Sequence, residues 1–329
     1  MKETLNYLFE GNVLSQQKAK ETLTDIASGK FTNEEMASFL TVYQMRKITP
    51  TEILGFRDAM LGLAVQVDLG GCKTIDVCGT GGDGKNTFNI STLSAFVIAG
   101  AGAKVAKHGN YGLSSPCGSS NIFEYFGYQF STDSAKLRNE LENYGVCYFH
   151  APMFHPAMKN IGPVRKALKV KTFFNMLGPM TNPAKPQSQF VGVFSSDVQK
   201  LYSEVYQLTA IQHGIVHSLE GYDEISLTCD FKVLGSGKEM VYSPEKLGFS
   251  KVRPEELHGG DTIDDAALIF LSILQGKGTK AQNEVVVANS AFALSCYYPD
   301  KSIVDCVEMA RESLNSGKAL SVFKKLFNR

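Results

Sequence analysis

A small N-terminal helical domain and a larger α/β domain, with a central, mostly parallel sheet flanked by helices, is the fold this sequence predicts. Two helix-capping signatures precede apolar runs of helical period within the first 70 residues. A strand, a glycine-rich loop, a helix and a strand then follow between residues 74 and 109, and a second strand–helix–strand unit lies between 189 and 218. That order implies parallel pairing, because the helix carries the chain back to the edge where it began.

Thr32 and Glu35 have capping-box spacing before MASFLTVYQM. Thr49 and Glu52 repeat it, with Pro50 at the first helical position before ILGFRDAML. Asp68-Leu69-Gly70-Gly71 breaks the helical period and marks a domain boundary. The apolar run TIDVC (74–78) enters the glycine loop as a strand. STLSAFVIAGAG (91–102) reads as a helix whose small residues allow close packing, and AKVAKHG (103–109) returns as a strand. QFVGVFS (189–195), DVQKLYSEVYQLTA (197–210) and GIVHS (214–218) repeat the unit, and Thr262 starts a further capped helix that Gly276 ends.

Among the 329 residues, 43% are hydrophobic and 20% charged, values suited to a chain that buries a real core. Lys plus Arg and Asp plus Glu number 33 each, so no bulk field draws the protein toward nucleic acid or an anionic membrane. An anionic ligand must be held by local groups. Seven cysteines without a CxxC pair argue against a disulfide framework or a zinc site and suit a reducing, cytoplasmic setting. The start, MKETLNYLFEGN, lacks the apolar core of a signal peptide, and no run approaches the ~18 apolar residues of a membrane span.

Gly79-Thr80-Gly81-Gly82-Asp83-Gly84 follows a strand, where missing Cβ atoms let backbone N–H groups approach an anion. Its GxGxxG spacing alone is weak. A dinucleotide fold also wants an acidic residue ~20 positions on, yet no Asp or Glu occurs between Asp83 and Glu124. Its match to a Walker A loop fails at Asn86, where that motif needs Ser or Thr as a magnesium ligand. The longer string GTGGDGKNTFNIST (79–92) adds Thr87, Asn89, Ser91 and Thr92, which can wrap a phosphate or diphosphate and its metal beside a helix start. A glycine turn with a Thr/Ser cap is the plainer reading of a lone GxGxxG, but not of fourteen such residues.

This string, followed by Lys107-His108-Gly109-Asn110, resembles the anthranilate phosphoribosyltransferases. APMFHPAMKNIGPVR (151–165), KTFFNMLGPMTNPA (171–184) and GYDEISL (221–227) agree in the family's order. Pyrimidine nucleoside phosphorylases share the fold and a related glycine loop and are the alternative, but their segment after the loop looks like KMSGRG rather than KHGN. A catalytically silent relative that binds nucleic acid is a further alternative, which the balanced charge and intact acidic pair disfavour.

The resemblance implies transfer of a 5-phosphoribosyl group from phosphoribosyl diphosphate to the amine of anthranilate, releasing diphosphate, in tryptophan biosynthesis. It implies that Gly79, Gly82, Asp83, Thr87, Asn89, Ile90, Ser91 and Thr92 hold the donor. Lys107, His108, Gly109, Asn110, Ser114, Ser115 and Ser119 complete that site. Ser91, Asp223 and Glu224 are the implied ligands of two magnesium ions (Mg2+) per subunit. Gly79, Asn110 and Arg165 are the implied anthranilate contacts, with His108 and the Gly178-Pro179 turn shaping the channel. The implied domains are residues 1–70, joined by part of about 160–185, and 71–329; a homodimer through the helical domain is a family expectation. The chain departs from the family where Tyr111 stands for the usual Arg and Gly112, Pro116 and Cys117 for Ser, Lys and Ser, so the loop loses two positive charges.

The chemistry suits these residues. Breaking the bond at C1 of the ribose puts negative charge on the departing diphosphate, which metals and fixed donors would neutralise. Asp223 and Glu224 offer the oxygen donors magnesium prefers. Adjacent residues of a strand face opposite ways, so both reach one site only if the chain turns, as Gly221 permits. Without the resemblance, the pair reads as a solvated loop and Arg165 as an exposed helix residue beside Lys166. Anthranilate's amine is unprotonated near neutral pH, so no strong base or nucleophilic triad is expected. His108 and His155 are possible bases but more often structural; His150, His213, His217 and His258 are read as structural.

Overall fold

A computed structural model describes residues 1–112, 115–235 and 237–328. In its first segment the capping residues do what their spacing predicts. The Thr32 and Thr49 hydroxyls accept from the N–H groups of Glu35 and Glu52, and each glutamate accepts the threonine's own N–H in return. Four helices result: α1 (Lys2–Phe9), α2 (Gln16–Ala27), α3 (Asn33–Met45) and α4 (Pro50–Leu63). Ser15 caps α2 in the simpler way, accepting from Lys18 N at 3.2 Å.

Glu52 also has a tertiary role. Fully buried, it accepts from Leu14 N at 3.0 Å, the Tyr43 hydroxyl at 3.1 Å and the Arg46 guanidinium. A buried carboxylate is tolerable only when so many donors replace its water.

The first unit comprises Met1–Gln66 together with Ala151–Pro183. The returning segment starts earlier than the expected 160 because Phe154, at its first helical turn, is already buried in the unit. It contains three short α-helical segments, Ala151–Phe154, Gly162–Leu168 and Phe174–Leu177. Phe173 completes an aromatic cluster with Phe39, Tyr43 and Phe56, stacking on Phe56 at 4.5 Å. Such stacking adds to the apolar area the rings already bury.

The second unit comprises Val67–His150 and Ala184–Arg329. Its sheet has seven strands: β1 (Ile75–Gly79), β2 (Val105–Gly109), β3 (Val146–His150), β4 (Ser188–Gly192), β5 (Gln212–Ser218), β6 (Phe231–Gly235) and β7 (Lys238–Tyr242). Their spatial order is β3-β2-β1-β4-β5-β6-β7. The first five pair in parallel, and β6 and β7 extend the sheet antiparallel.

Eight helices of this unit follow in chain order: α5 (Ile90–Gly100), α6 (Ser119–Tyr125), α7 (Ser134–Tyr144), α8 (Ser196–Gln207), α9 (Ile263–Leu274), α10 (Lys280–Tyr297), α11 (Ile303–Asn315) and α12 (Lys318–Phe327). Almost every residue of α5 is buried. Its small residues have a mechanical reason: a Cβ on Gly100 would sit 2.3 Å from Ser313 Oγ and 2.8 Å from Ala319 N, so glycine lets α11 and α12 approach.

The strand order places the candidate site. The chain builds outward from β1 through β2 to β3, then crosses back to β4 and β5 on the other side. Connections leave β1 and β4 in opposite directions, which opens a crevice at their carboxyl ends, the usual ligand position in open α/β sheets.

Candidate active site

Two glycines end the strands at this switch point. Gly79 closes β1 and Gly192 closes β4, in register with each other. Neither has room for a side chain. A Cβ on Gly79 would lie 2.3 Å from Asp223 Oδ2, and one on Gly192 would lie 1.6 Å from the Asp223 carbonyl oxygen. The two strand ends therefore form a seat for the segment that follows β5.

That segment leaves β5 and turns back at Gly221, whose φ of +88° favours glycine. Backbone turning lets adjacent carboxylates serve one site. Asp223 points at the glycine loop and accepts from Gly81 N at 2.6 Å, while Glu224 bonds the side chain and backbone N–H of Ser91 at the start of α5. Buried groups pin the turn. Ser218 Oγ donates to Glu224 O at 2.6 Å, and Asn289 of α10 both donates to Ile225 O and accepts from Ile225 N, at 2.9 and 3.0 Å.

Burial, with Asp83 and Glu224 close by, pushes the Asp223 carboxyl well above the usual carboxylate range. Burial pushes Glu224 up to about 7, against the pull of Lys107 and Ser91. Two buried carboxyls side by side disfavour their own ionisation. A divalent cation would reverse that balance, and these are the hard oxygen donors that magnesium takes. Among the described residues no three His, Cys, Asp or Glu side chains form a complete metal set.

The glycine loop is tied down on its far side. Thr87 forms an isolated bridge with His258, Phe88 N donates to Leu257 O at 2.9 Å, and Gly259 N donates to Asn86 O at 2.9 Å. Gly81, Gly82 and Gly84 all have positive φ. Asp83 holds the loop's turn by accepting from Lys85 N at 3.0 Å. Ile90 and Thr92 are buried in the first turn of α5, where the sequence places Thr92 within the helix.

Lys107 is almost fully buried on β2 and donates to Val77 O at 2.7 Å, its charge acting on Glu224. His108 is buried beside it, with its N–H donating to Asp76 at 3.1 Å. Gly109 ends the strand, and Asn110 follows as an exposed residue whose carbonyl accepts from Ser120 N at 3.1 Å. Asn89 joins the two loops by donating to Cys117 O at 3.1 Å. Ser115 Oγ donates to the same carbonyl, and Ser119 opens α6. Ser114 lies outside the described residues.

Arg165 lies in the first unit. It is half-buried, in contrast to exposed Lys166, and its guanidinium lies 5.0 Å from the centroid of Phe174. Burial lowers its affinity for the proton, and among the described residues no carboxylate pairs with it. Gly178 and Pro179 open a short 3-10 helix, Gly178–Thr181, rather than an isolated turn. His155 is buried, hydrogen-bonded to the backbone of Thr181 and Met60, and burial pushes it down to about 4.

Gly192, Ser218 and Asn289 were not singled out from the sequence, yet they shape the acidic turn. Gly192 had a signal in the strand run QFVGV, where glycine marks a close approach of backbone. Asn289 had none, because its partner Ile225 is distant in the chain, and Ser218 had none, because its role depends on how the chain turns after β5.

Fold and site together define a two-domain glycosyl transferase. Residues 2–64 match the helical bundle domain of the glycosyl transferase family, and residues 71–320 match its a/b domain. An anthranilate phosphoribosyltransferase of Flavobacterium johnsoniae is 51% identical over 331 aligned positions, covering 99% of this chain and 98% of that protein. The crystal structure of the anthranilate phosphoribosyltransferase from Thermus thermophilus superposes with a TM-score of 0.93 at 31% identity, covering 98% of each chain. That from Saccharomyces cerevisiae, in complex with PRPP and Mg, gives 0.88 at 25% identity, covering 96% of this chain and 93% of the other. The chain belongs to the anthranilate phosphoribosyltransferase family. These relatives support neither the nucleoside phosphorylase nor the nucleic-acid-binding alternative.

Proposed function

We infer that this chain transfers the 5-phosphoribosyl group of phosphoribosyl diphosphate to the amine of anthranilate, releasing diphosphate. The observation that carries the reading is the seating of Asp223 and Glu224 against the glycine loop and Ser91, at the switch point of a parallel sheet. The relatives' shared name supports the choice of acceptor.

The donor is assigned to Gly79, Gly82, Asp83, Thr87, Asn89, Ile90, Ser91 and Thr92, together with Lys107 to Asn110, Ser114, Ser115 and Ser119. The positive-φ glycines of the loop let phosphate oxygens approach the backbone without a Cβ in the way. Lys107 holds one positive charge in a dry position, where it acts strongly on an anion. Ser91, Asp223 and Glu224 are the residues that would hold magnesium, two ions per subunit on the family resemblance. Bound there, the metal would neutralise charge on the departing diphosphate. Tyr111 and Pro116 leave that loop without its usual basic residues, which increases the share left to Lys107 and the metal.

Arg165 is assigned to the acceptor's carboxylate, which would supply the anionic partner that its half-buried guanidinium lacks. Gly79 and Asn110 are the other proposed acceptor contacts. The amine attacks C1 of the ribose as the bond to diphosphate breaks, and its proton leaves after attack. His108 is the candidate acceptor for that proton, but the chemistry does not require it. The proposed setting is a cytoplasmic homodimer acting on small molecules in tryptophan biosynthesis.

The test is an assay with anthranilate, phosphoribosyl diphosphate and magnesium that follows anthranilate fluorescence. Loss of fluorescence that needs all three components supports the reading. Unchanged fluorescence with a folded protein across a magnesium titration overturns it.

A further inference from the structure

A chain of hydrogen bonds runs from Ser119 into the interior of the second unit. Ser119 Oγ lies 2.8 Å from the Tyr148 hydroxyl, which lies 2.8 Å from Ser120 Oγ, which lies 2.8 Å from His150 Nδ1. Tyr148, Ser120 and His150 are buried. The ring of His150 is fixed between Phe130, stacked at 4.3 Å, and the edge of Tyr111 at 5.0 Å. Tyr148 is itself stacked on Phe123 at 4.0 Å. Gly109 makes room for the chain, since a Cβ there would meet Ser119 Oγ at 2.1 Å and the Tyr148 hydroxyl at 2.4 Å.

A hydroxyl has one proton to donate, so such a chain donates in one direction at a time. If His150 donates from Nδ1 to Ser120, Ser120 donates to Tyr148 and Tyr148 to Ser119. The Ser119 proton is then released from Tyr148 and shared between an outside ligand and the Asn110 carbonyl oxygen, which lies 3.4 Å from Ser119 Oγ. In the opposite direction Ser119 spends its proton on Tyr148 and offers only lone pairs to a ligand. An anion beside Ser119 selects the first direction, and bonds aligned in this way strengthen one another. Burial keeps the Tyr148 hydroxyl protonated by pushing its pKa up, and burial pulls His150 down, favouring its neutral form.

We propose that Tyr148 is a positioning residue for the diphosphate donor, acting through Ser119, with Ser120 and His150 setting the direction of donation. The proposal rests on the assignment of Ser119 to donor binding above. It gives a function to residues of β3 that touch no proposed ligand themselves.

Steady-state kinetics of Tyr148→Phe, Ser119→Ala and the double variant test it, with calorimetric titration of phosphoribosyl diphosphate and melting temperatures alongside. Tyr148→Phe keeps the stacked ring and removes the hydroxyl. Its KM for phosphoribosyl diphosphate should rise about three- to tenfold, the range for one lost hydrogen bond, while its KM for anthranilate holds. The double variant should lose no more than Ser119→Ala alone, because the two hydroxyls act as one unit. Ser120→Ala, which cuts the chain one link further in, should raise the same KM; it remains available should Tyr148→Phe fold poorly. Additive losses, equal effects on both substrates, or an unchanged donor KM in folded Tyr148→Phe or Ser120→Ala would overturn the proposal. A wild-type protein that neither binds the donor nor consumes anthranilate would instead overturn the assigned reaction.

Discussion

At the scale of single residues, the site depends as much on missing side chains as on present ones. Gly192 touches no proposed ligand, yet its hydrogen-only side lets the Asp223 backbone lie against β4. Gly192→Ala must displace the acidic turn. We predict a modest loss of stability, about 1–3 kcal/mol as for other overpacked sites. The rate should fall on the order of a hundredfold from misplacement of Asp223 and Glu224. Initial rates and melting temperatures of the variant check this, and a folded variant with wild-type rates would show that the turn tolerates displacement. Arg165 makes a different prediction. Losing a charge-assisted contact costs roughly 1.5–3 kcal/mol, so Arg165→Ala should raise the KM for anthranilate about ten- to more than a hundredfold. Its KM for the donor should change little. Equal effects on both substrates would mean that Arg165 has only a structural role.

At the scale of elements, much was legible because the signals were local. Capping threonines three residues before Glu35 and Glu52 fixed the starts of α3 and α4. The strands on either side of the glycine loop showed as apolar runs between glycines. By contrast, β3 carries its buried face on VCYFH, whose Tyr and His hide an apolar strand from a pattern search. Strands β6 and β7 form a partly exposed antiparallel hairpin beyond the parallel units, and no continuous apolar run announces them. The acidic turn was legible only as a pair of carboxylates beside a glycine. What seats it, Gly192 and Asn289, belongs to other elements and becomes visible only in the fold.

The returning segment of the first unit contributes a pH-dependent term. His155 has an imidazole pushed by burial from about 6.5 down to about 4. The unfolded chain takes up a proton below 6.5 that the folded chain resists until about 4. Stability contributed by this group is therefore full above pH 6.5 and lost as pH falls toward 4, by up to about 3 kcal/mol. The melting temperature of the wild type should drop over that window more steeply than that of His155→Asn. Parallel curves would show that His155 accepts its proton in place.

At the scale of the whole molecule, charge explains the division of labour. Acidic and basic residues balance, so the protein offers no general attraction to a donor carrying several negative charges. On the proposed assignment, attraction is concentrated in the second unit, in the glycine loop, Lys107 and the metal that Asp223 and Glu224 would hold with Ser91. In the protein alone these carboxyls crowd one another and resist ionisation. On the proposed assignment, a bound cation would offset that cost. The most direct test is the magnesium dependence of the initial rate, compared between wild type and Asp223→Asn/Glu224→Gln, with melting temperatures measured in the absence of magnesium. The double variant keeps the shape of the turn while removing its charge. It should fold at least as well as wild type, need far more magnesium and remain slow when saturated. A double variant with wild-type rate and wild-type magnesium dependence would contradict the account and reduce the acidic turn to a piece of loop.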